Sequence, residues 1–101
     1  MSLETNNRMV DKNDLIGIWQ ADSDMEYGNA SMQFSADGSL TYTVLENGKK
    51  QIINLIYWLE GDYLCTDQPS SPKVEKTRVR IENGKLLLDY SGTVTSFSKI
   101  N

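Results

Sequence analysis

The run Leu15-Ile16-Gly17-Ile18-Trp19 is the first strongly patterned stretch of the chain, and it indicates how the chain folds. Because side chains alternate across a strand, Leu15, Gly17 and Trp19 share one face of an extended segment. A glycine near a large indole lets a neighbouring backbone or ring approach closely. We therefore expect this run to be the first strand of a β domain, with Trp19 closing one end of its core.

Short strands and tight turns fill the rest of the sequence. Ala30, Met32 and Phe34 alternate with polar residues, which is typical of an antiparallel strand with one buried face. Asn-Gly dipeptides at 47–48 and 83–84 are strong hairpin signals. The predicted strands cover residues 15–22, 29–36, 39–46, 50–60, 63–66, 73–82, 85–91 and 93–100.

Consecutive hairpins favour an up-and-down order, and no segment shows a sustained helical period. The sequence therefore predicts an all-β fold, a single small antiparallel up-and-down β-barrel of about eight strands, whose closure removes the exposed sheet edges. The polar residues 1–14 are expected to form a flexible N-terminal tail, and residues 15–101 are expected to form the barrel domain.

The composition excludes several kinds of chemistry. The 101 residues include no histidine, which removes Ser-His and Cys-His nucleophile pairs and the usual zinc and haem ligands. Cys65 is the single cysteine, and its apolar neighbours predict a small buried side chain. The net charge of -4 disfavours nucleic acid and anionic membranes as partners. We expect no enzyme activity and no cofactor.

The sequence leaves the cellular compartment open. No apolar run reaches the roughly 18 residues that a membrane-spanning helix needs. Residues 1–14 lack the apolar core of a signal peptide. We expect a soluble domain that is either cytoplasmic or exported with its leader removed.

Several motifs spread over residues 15–100 have counterparts in a known family. They are Gly17-x-Trp19 on the first strand, Phe34-x-x-Asp37-Gly38 at a turn, Tyr57-x-Leu59-x-Gly61-Asp62-x-Leu64 at a corner and Phe97-Ser98-Lys99-Ile100 on the last strand. This pattern resembles that of lipocalins and of the short bacterial lipocalin-like domains. Lys99 stands where that family often has an arginine packed over the first-strand tryptophan.

The resemblance implies a lipocalin-like barrel that binds a small apolar molecule. Tyr42, Tyr57 and Tyr90 are the candidate ligand-binding residues, because inward-facing phenols can supply the few polar groups of an apolar pocket. Alternatively, their hydroxyls point to the solvent at the rim of the barrel. Many large residues on short strands predict a mostly filled lumen. Any pocket should therefore be small or confined to one mouth, at the opposite end from Trp19.

The strand predicted over 50–60 supports a second hypothesis. Its residues Ile52, Ile56 and Trp58 share the outer side, and an exposed apolar row with a tryptophan is typical of a protein interface. Alternatively, the N-terminal tail or the proline-containing loop at 67–72 covers this row. The two functions that remain are small-ligand binding, and a protein-interaction module or homodimer that uses this outer face.

Overall fold

The computed structural model describes residues 10–22, 30–46 and 48–101. Most of the predicted N-terminal tail lies outside these residues, so the domain boundary at residue 14 stays a prediction. The elements in chain order are α1 (Lys12–Leu15), β1 (Gly17–Ala21), β2 (Ala30–Phe34), β3 (Ser39–Glu46), β4 (Lys49–Glu60), β5 (Tyr63–Asp67), β6 (Glu75–Glu82), β7 (Lys85–Tyr90) and β8 (Thr93–Lys99). No helix in the described ranges is long and apolar enough to cross a membrane.

The strands form one closed antiparallel barrel in the order β1 to β8. Each strand pairs with its neighbour in sequence, and β8 pairs back with β1 to close the sheet. Trp19 on β1 lies opposite Met32 of β2 and opposite Lys99 of β8. The predicted all-β, up-and-down barrel of eight strands is confirmed.

The barrel has two distinct ends, because its strands alternate in direction. We call one end the helix end; it holds α1 and the turns at 35–38, 61–62 and 83–84. The opposite end receives the connections at 68–74 and 91–92, and we call it the cavity end. β1 runs from the helix end toward the cavity end, and β4 runs the other way.

The first strand begins at Gly17, two residues later than predicted, because residues 12–15 form a helical turn. The Asp11 backbone N–H donates to the Asp14 carboxylate at 2.9 Å, and the Asp14 N–H donates to the Asp11 carbonyl at 2.9 Å. These bonds satisfy polar backbone groups at the helix start. Leu15 is fully buried, so it joins the core from α1 and not from the strand.

The core fills the barrel at the helix end. Its buried apolar side chains come from α1 and from every strand, and the phenol ring of Tyr57 meets Phe34 edge-on at a centroid distance of 5.0 Å. Such T-shaped aromatic pairs stabilise a core beyond the area they bury. The other buried core residues are Leu15, Trp19, Ala21, Ala30, Met32, Leu40, Leu64, Val79, Leu86 and Phe97.

Asp22 fastens the end of β1 to β7 and β8. Its carboxylate accepts hydrogen bonds from the Ser96 hydroxyl, from the Ser98 hydroxyl at 2.7 Å and from the Lys85 ammonium at 3.1 Å. These bonds, with that of Ser96 the largest, lower the pKa of Asp22 to about 2. The carboxylate therefore favours the folded state while it is ionised.

We expect the barrel to lose stability as Asp22 is protonated. Its folded pKa of about 2 lies below the ordinary 3.8, so its contribution is fully present above pH 3.8 and disappears as the pH falls through about 2. Asp22→Asn should be less stable than wild type near pH 6, and the difference should shrink toward pH 2. Urea unfolding between pH 6 and pH 2 measures this difference. Asp62→Asn, which removes a half-exposed carboxylate paired with Arg78 at 3.4 Å, serves as the comparison. A pH-independent difference for Asp22→Asn would contradict the assignment.

Candidate ligand site at the cavity end

A cavity of about 300 Å³ opens at the cavity end of the barrel. Its volume is at the lower end of the range of small-molecule sites, roughly 300–1,000 Å³. Apolar side chains form its floor, and four of them are buried: Met32, Leu40, Leu64 and Phe97. The floor is therefore suited to the apolar part of a small molecule.

Polar side chains surround the same cavity nearer to the solvent. They are the hydroxyls of Thr66, Thr77 and Thr95 and the carboxylate of Glu75, which is the single charged group among the described lining residues. Glu75 pairs with Lys73, whose Nζ lies 3.8 Å from the carboxylate oxygen and whose side chain is four fifths exposed. Such an exposed ion pair is weak, so the Glu75 carboxylate can accept hydrogen bonds from a ligand.

Tyr42 and Tyr90, two of the three predicted site residues, line this cavity. Tyr42 lies on β3 and is half-buried, while Tyr90 ends β7 and is 57% exposed. Tyr90 therefore stands at the rim of the cavity, where a phenol can contact both a ligand and water. Their role in binding stays a prediction.

Tyr57 does not lie with them. It is buried at the helix end, where its hydroxyl donates to the Ser35 carbonyl at 2.8 Å and the Lys12 ammonium lies 5.7 Å from its ring centre. Burial, together with the nearby Asp37 carboxylate, raises the pKa of Tyr57. The structure thus places Tyr57 in the core at the closed end of the barrel and away from the cavity.

Glu75, Thr66, Thr77 and Thr95 were not among the predicted site residues. Thr77 has the same parity along β6 as the buried Val79, so the two-residue period already places it inside the barrel. The same period places Glu75 inside. The sequence signal for a site at the cavity end was therefore an inward-facing carboxylate at the start of β6.

The helix end is closed, so the cavity does not run through the barrel. Trp19 is 2% exposed, and its indole N–H donates to the Leu15 carbonyl at 2.9 Å. The Lys99 ammonium lies 5.7 Å from the centre of the Trp19 ring, as expected for a cation over an aromatic face. The predicted packing of Trp19 against the last strand is confirmed, and the open mouth lies at the opposite end.

The outer face of β4 is only partly exposed. Ile52 and Ile56 are 56% and 43% exposed, whereas Trp58 is half-buried. The Trp58 indole N–H donates to the Glu60 carboxylate at 2.9 Å, and the same carboxylate lies 3.0 Å from the Lys76 ammonium. Of the three residues in the predicted apolar row, the two isoleucines are therefore the strongly exposed ones.

Cys65 lies opposite Trp58 across β4 and β5 and is fully buried, as predicted. Burial raises the pKa of its thiol, so the thiolate that a nucleophile requires is disfavoured. Among the described residues, no group of three or more His, Cys, Asp or Glu side chains is placed to hold a metal ion.

No protein-family model matches the chain, and no curated protein does. A solved structure described as a lipocalin-like protein from Bacteroides uniformis matches it with a TM-score of 0.69. The fold is lipocalin-like. The match covers 86% of this chain and 99% of that chain, at 21% sequence identity. The lipocalin-like fold predicted from the sequence motifs is thus confirmed, and at this identity the likeness concerns the fold alone.

Proposed function

We propose that this lipocalin-like domain is a non-catalytic binding protein for a small, mainly apolar molecule, which it holds at the cavity end. The observation that supports this most directly is the cavity of about 300 Å³ above a buried apolar floor. Burial of an apolar ligand against this floor contributes roughly 25 cal/mol for each Å² removed from water.

The lining indicates how such a ligand is oriented. Its apolar body contacts Met32, Leu64 and Phe97 at the floor, and its polar end lies nearer to Glu75 and Tyr90 at the mouth. An ionised carboxylate only accepts hydrogen bonds, so the site favours a ligand whose polar end donates them, such as an amine, an amide or an alcohol.

The absence of catalysis is part of the proposal. Catalysis by a side-chain nucleophile needs that nucleophile within hydrogen-bond reach of a base. The titratable groups of the described lining are Glu75, Tyr42 and Tyr90, and the chain contains no histidine to act as a base. Cys65 lies on the outer face of the sheet, so it does not face the cavity.

We expect a bulky side chain inside the cavity to abolish binding. Thr95 and Val94 are neighbours on β8, but Thr95 lines the cavity whereas Val94 is 44% exposed on the outside. Thr95→Trp should fill the space that the ligand occupies and weaken binding at least tenfold. Val94→Trp adds the same ring to the outer surface and should leave binding unchanged.

The neutral fluorescent amine N-phenyl-1-naphthylamine is a suitable probe, because its emission rises when its rings leave water. Titration of wild type and of both variants measures the dissociation constants. Failure of wild type to bind this probe and a panel of apolar alcohols and amines would contradict the proposed function. Equal weakening in both variants would show that binding occurs outside the cavity.

The outer face of β4 supports a second candidate function, that of a protein-interaction surface. Ile52 and Ile56 expose about half of their side chains on one strand. Both side chains lie on the outer face of the sheet, and exposed apolar surface of this kind can contact a partner protein. This candidate is compatible with ligand binding, because the cavity and the outer face are different surfaces.

A further inference from the structure

β4 has one backbone edge that nothing in the described chain covers. β4, Lys49–Glu60, is the longest of the described strands, and β3 pairs with it from Lys49 to Ile56. On its other side, β5 pairs only with Ile56–Glu60. The segment 49–55 therefore has a neighbour on one side only.

The hydrogen-bonding pattern identifies the groups at this open edge. In an antiparallel ladder, alternate residues direct both N–H and C=O to the same neighbour. The Tyr57 N–H donates to the Gly38 carbonyl at 2.9 Å, on the β3 side. The odd-numbered residues of β4 therefore bond toward β3, and Lys50, Ile52 and Asn54 direct their N–H and C=O groups to the open side.

The chain after β5 turns away and leaves the edge open. The Ser71 N–H donates to the Gln68 carbonyl at 2.9 Å, and the Lys73 N–H donates to the Asp67 carboxylate at 2.8 Å. Pro69 and Pro72 lack the N–H that a ladder needs. β5 therefore ends at Asp67, although β4 extends further.

We propose that a second copy of the chain pairs with this edge, antiparallel and about a two-fold axis at Ile52. In that register Ile52 lies opposite Ile52 of the partner subunit, and Lys50 lies opposite Asn54 of the partner subunit. Of the antiparallel registers, this one gives a partner to all three residues whose N–H and C=O groups point to the open edge. Two barrels then share one continuous sheet through β4.

The side chains of this segment are self-complementary in that register. Ile52, 56% exposed, packs against its own copy, so two exposed apolar groups are buried together. Lys50 faces an amide and not a second ammonium, which avoids repulsion between like charges. The hairpin tip with Lys49 and Lys50 reaches the end of the partner's β5, where Asp67 pairs with Ile56. In this register Lys50 lies two positions along the shared edge from Asp67 of the partner subunit.

An uncovered strand edge with exposed apolar residues is a template for pairing with another strand. Among the described strands, the one whose length and side chains match this edge is the edge segment itself. A second copy of the chain supplies that segment. The inference concerns the outer surface alone and does not depend on ligand binding in the cavity.

The test measures the mass of the protein by sedimentation equilibrium from micromolar to millimolar concentration. We expect a monomer–dimer equilibrium. Ile52→Pro removes one N–H from the open edge and none from the β3 ladder, so it should weaken the dimer at least tenfold. Ile52→Thr keeps the N–H and the β-branched shape and should weaken the dimer much less.

Amide hydrogen exchange of the wild-type protein gives a second measurement that needs no substitution. The amides of Lys50, Ile52 and Asn54 should be protected at high concentration and exchange freely at low concentration. The amides of Gln51 and Ile53, which bond toward β3, should be protected at both. A monomer at millimolar concentration, equal weakening by Ile52→Pro and Ile52→Thr, or a dimer without protection of the three edge amides would overturn the proposal.

Discussion

Trp19→Ala is expected to lower the free energy of unfolding by about 3–5 kcal/mol, the usual cost of truncating a large buried aromatic side chain. The indole is 2% exposed and closes the helix end of the barrel. Its removal leaves a cavity beneath α1, deletes the hydrogen bond to the Leu15 carbonyl and removes the ring that Lys99 covers. Urea unfolding, followed by far-ultraviolet circular dichroism, measures the loss.

Trp58→Ala is the matched control, because it removes the same side chain from the outer face of the same barrel. Trp58 is half-buried, and its indole N–H bonds to an exposed carboxylate. We expect a loss of about 1–2 kcal/mol, within the range of about 0.5–3 kcal/mol that most point substitutions cost. Equal losses at the two positions would show that Trp19 does not anchor the closed end.

The fold could be predicted from the sequence because its strongest signals are local. Asn83-Gly84 has both residues at positive φ, as a tight hairpin turn requires, and the strands on either side follow directly from it. Apolar and polar residues alternate along β2, and its apolar residues Ala30, Met32 and Phe34 form the buried face. Both features depend on a few neighbouring residues, so no knowledge of the tertiary structure was needed.

The candidate site was less predictable, because the two-residue period assigns a side chain to a face and not to a height in the barrel. Tyr42 and Tyr57 both face inward, but Tyr42 pairs with Ile53. Tyr57 therefore lies four residues further along β4, about 14 Å toward the helix end at the usual rise per residue. Only the register separates the tyrosine at the cavity from the tyrosine in the core.

The open edge of β4 shows why a closed strand order does not mean that every backbone group is paired. A barrel is closed when each strand pairs with its two neighbours over part of its length. The backbone groups of a strand are paired along its whole length only where both neighbours are equally long. β5 is shorter than β4, so the hairpin of β3 and β4 extends beyond it. The predicted strands 50–60 and 63–66 already differed in length, so the sequence contained this signal.

Gly17→Ala is expected to lower the free energy of unfolding by about 2–6 kcal/mol. Gly17 has a φ of +136°. Residues that carry a Cβ rarely adopt this backbone conformation, and for them it costs about 1–3 kcal/mol. An added Cβ would lie 2.5 Å from the Asn101 carbonyl oxygen and 2.6 Å from Lys99 Cε. Displacement of packed atoms adds about 1–3 kcal/mol.

The Lys99 side chain can move, but the Asn101 carbonyl is held in place. It accepts a hydrogen bond from the Ile18 N–H at 3.0 Å, and the Ile100 N–H donates to the Ile18 carbonyl at 2.9 Å. Relief of the clash therefore breaks the bonds that join the chain's last residues to β1, where the barrel closes. The close approach predicted from a glycine beside Trp19 is this contact with the C-terminal backbone.

Gly48→Ala separates the backbone strain from the clash. Gly48 also has a positive φ, +76°, but no atom of the described residues beyond its chain neighbours lies within 4 Å of an added Cβ. We expect this variant to lose only about 1–2 kcal/mol, the cost of a left-handed conformation alone. Urea unfolding of both variants gives the comparison. Equal losses would mean that conformational strain accounts for the whole effect, and that the contact between Gly17 and Asn101 adds nothing to the closure of the barrel.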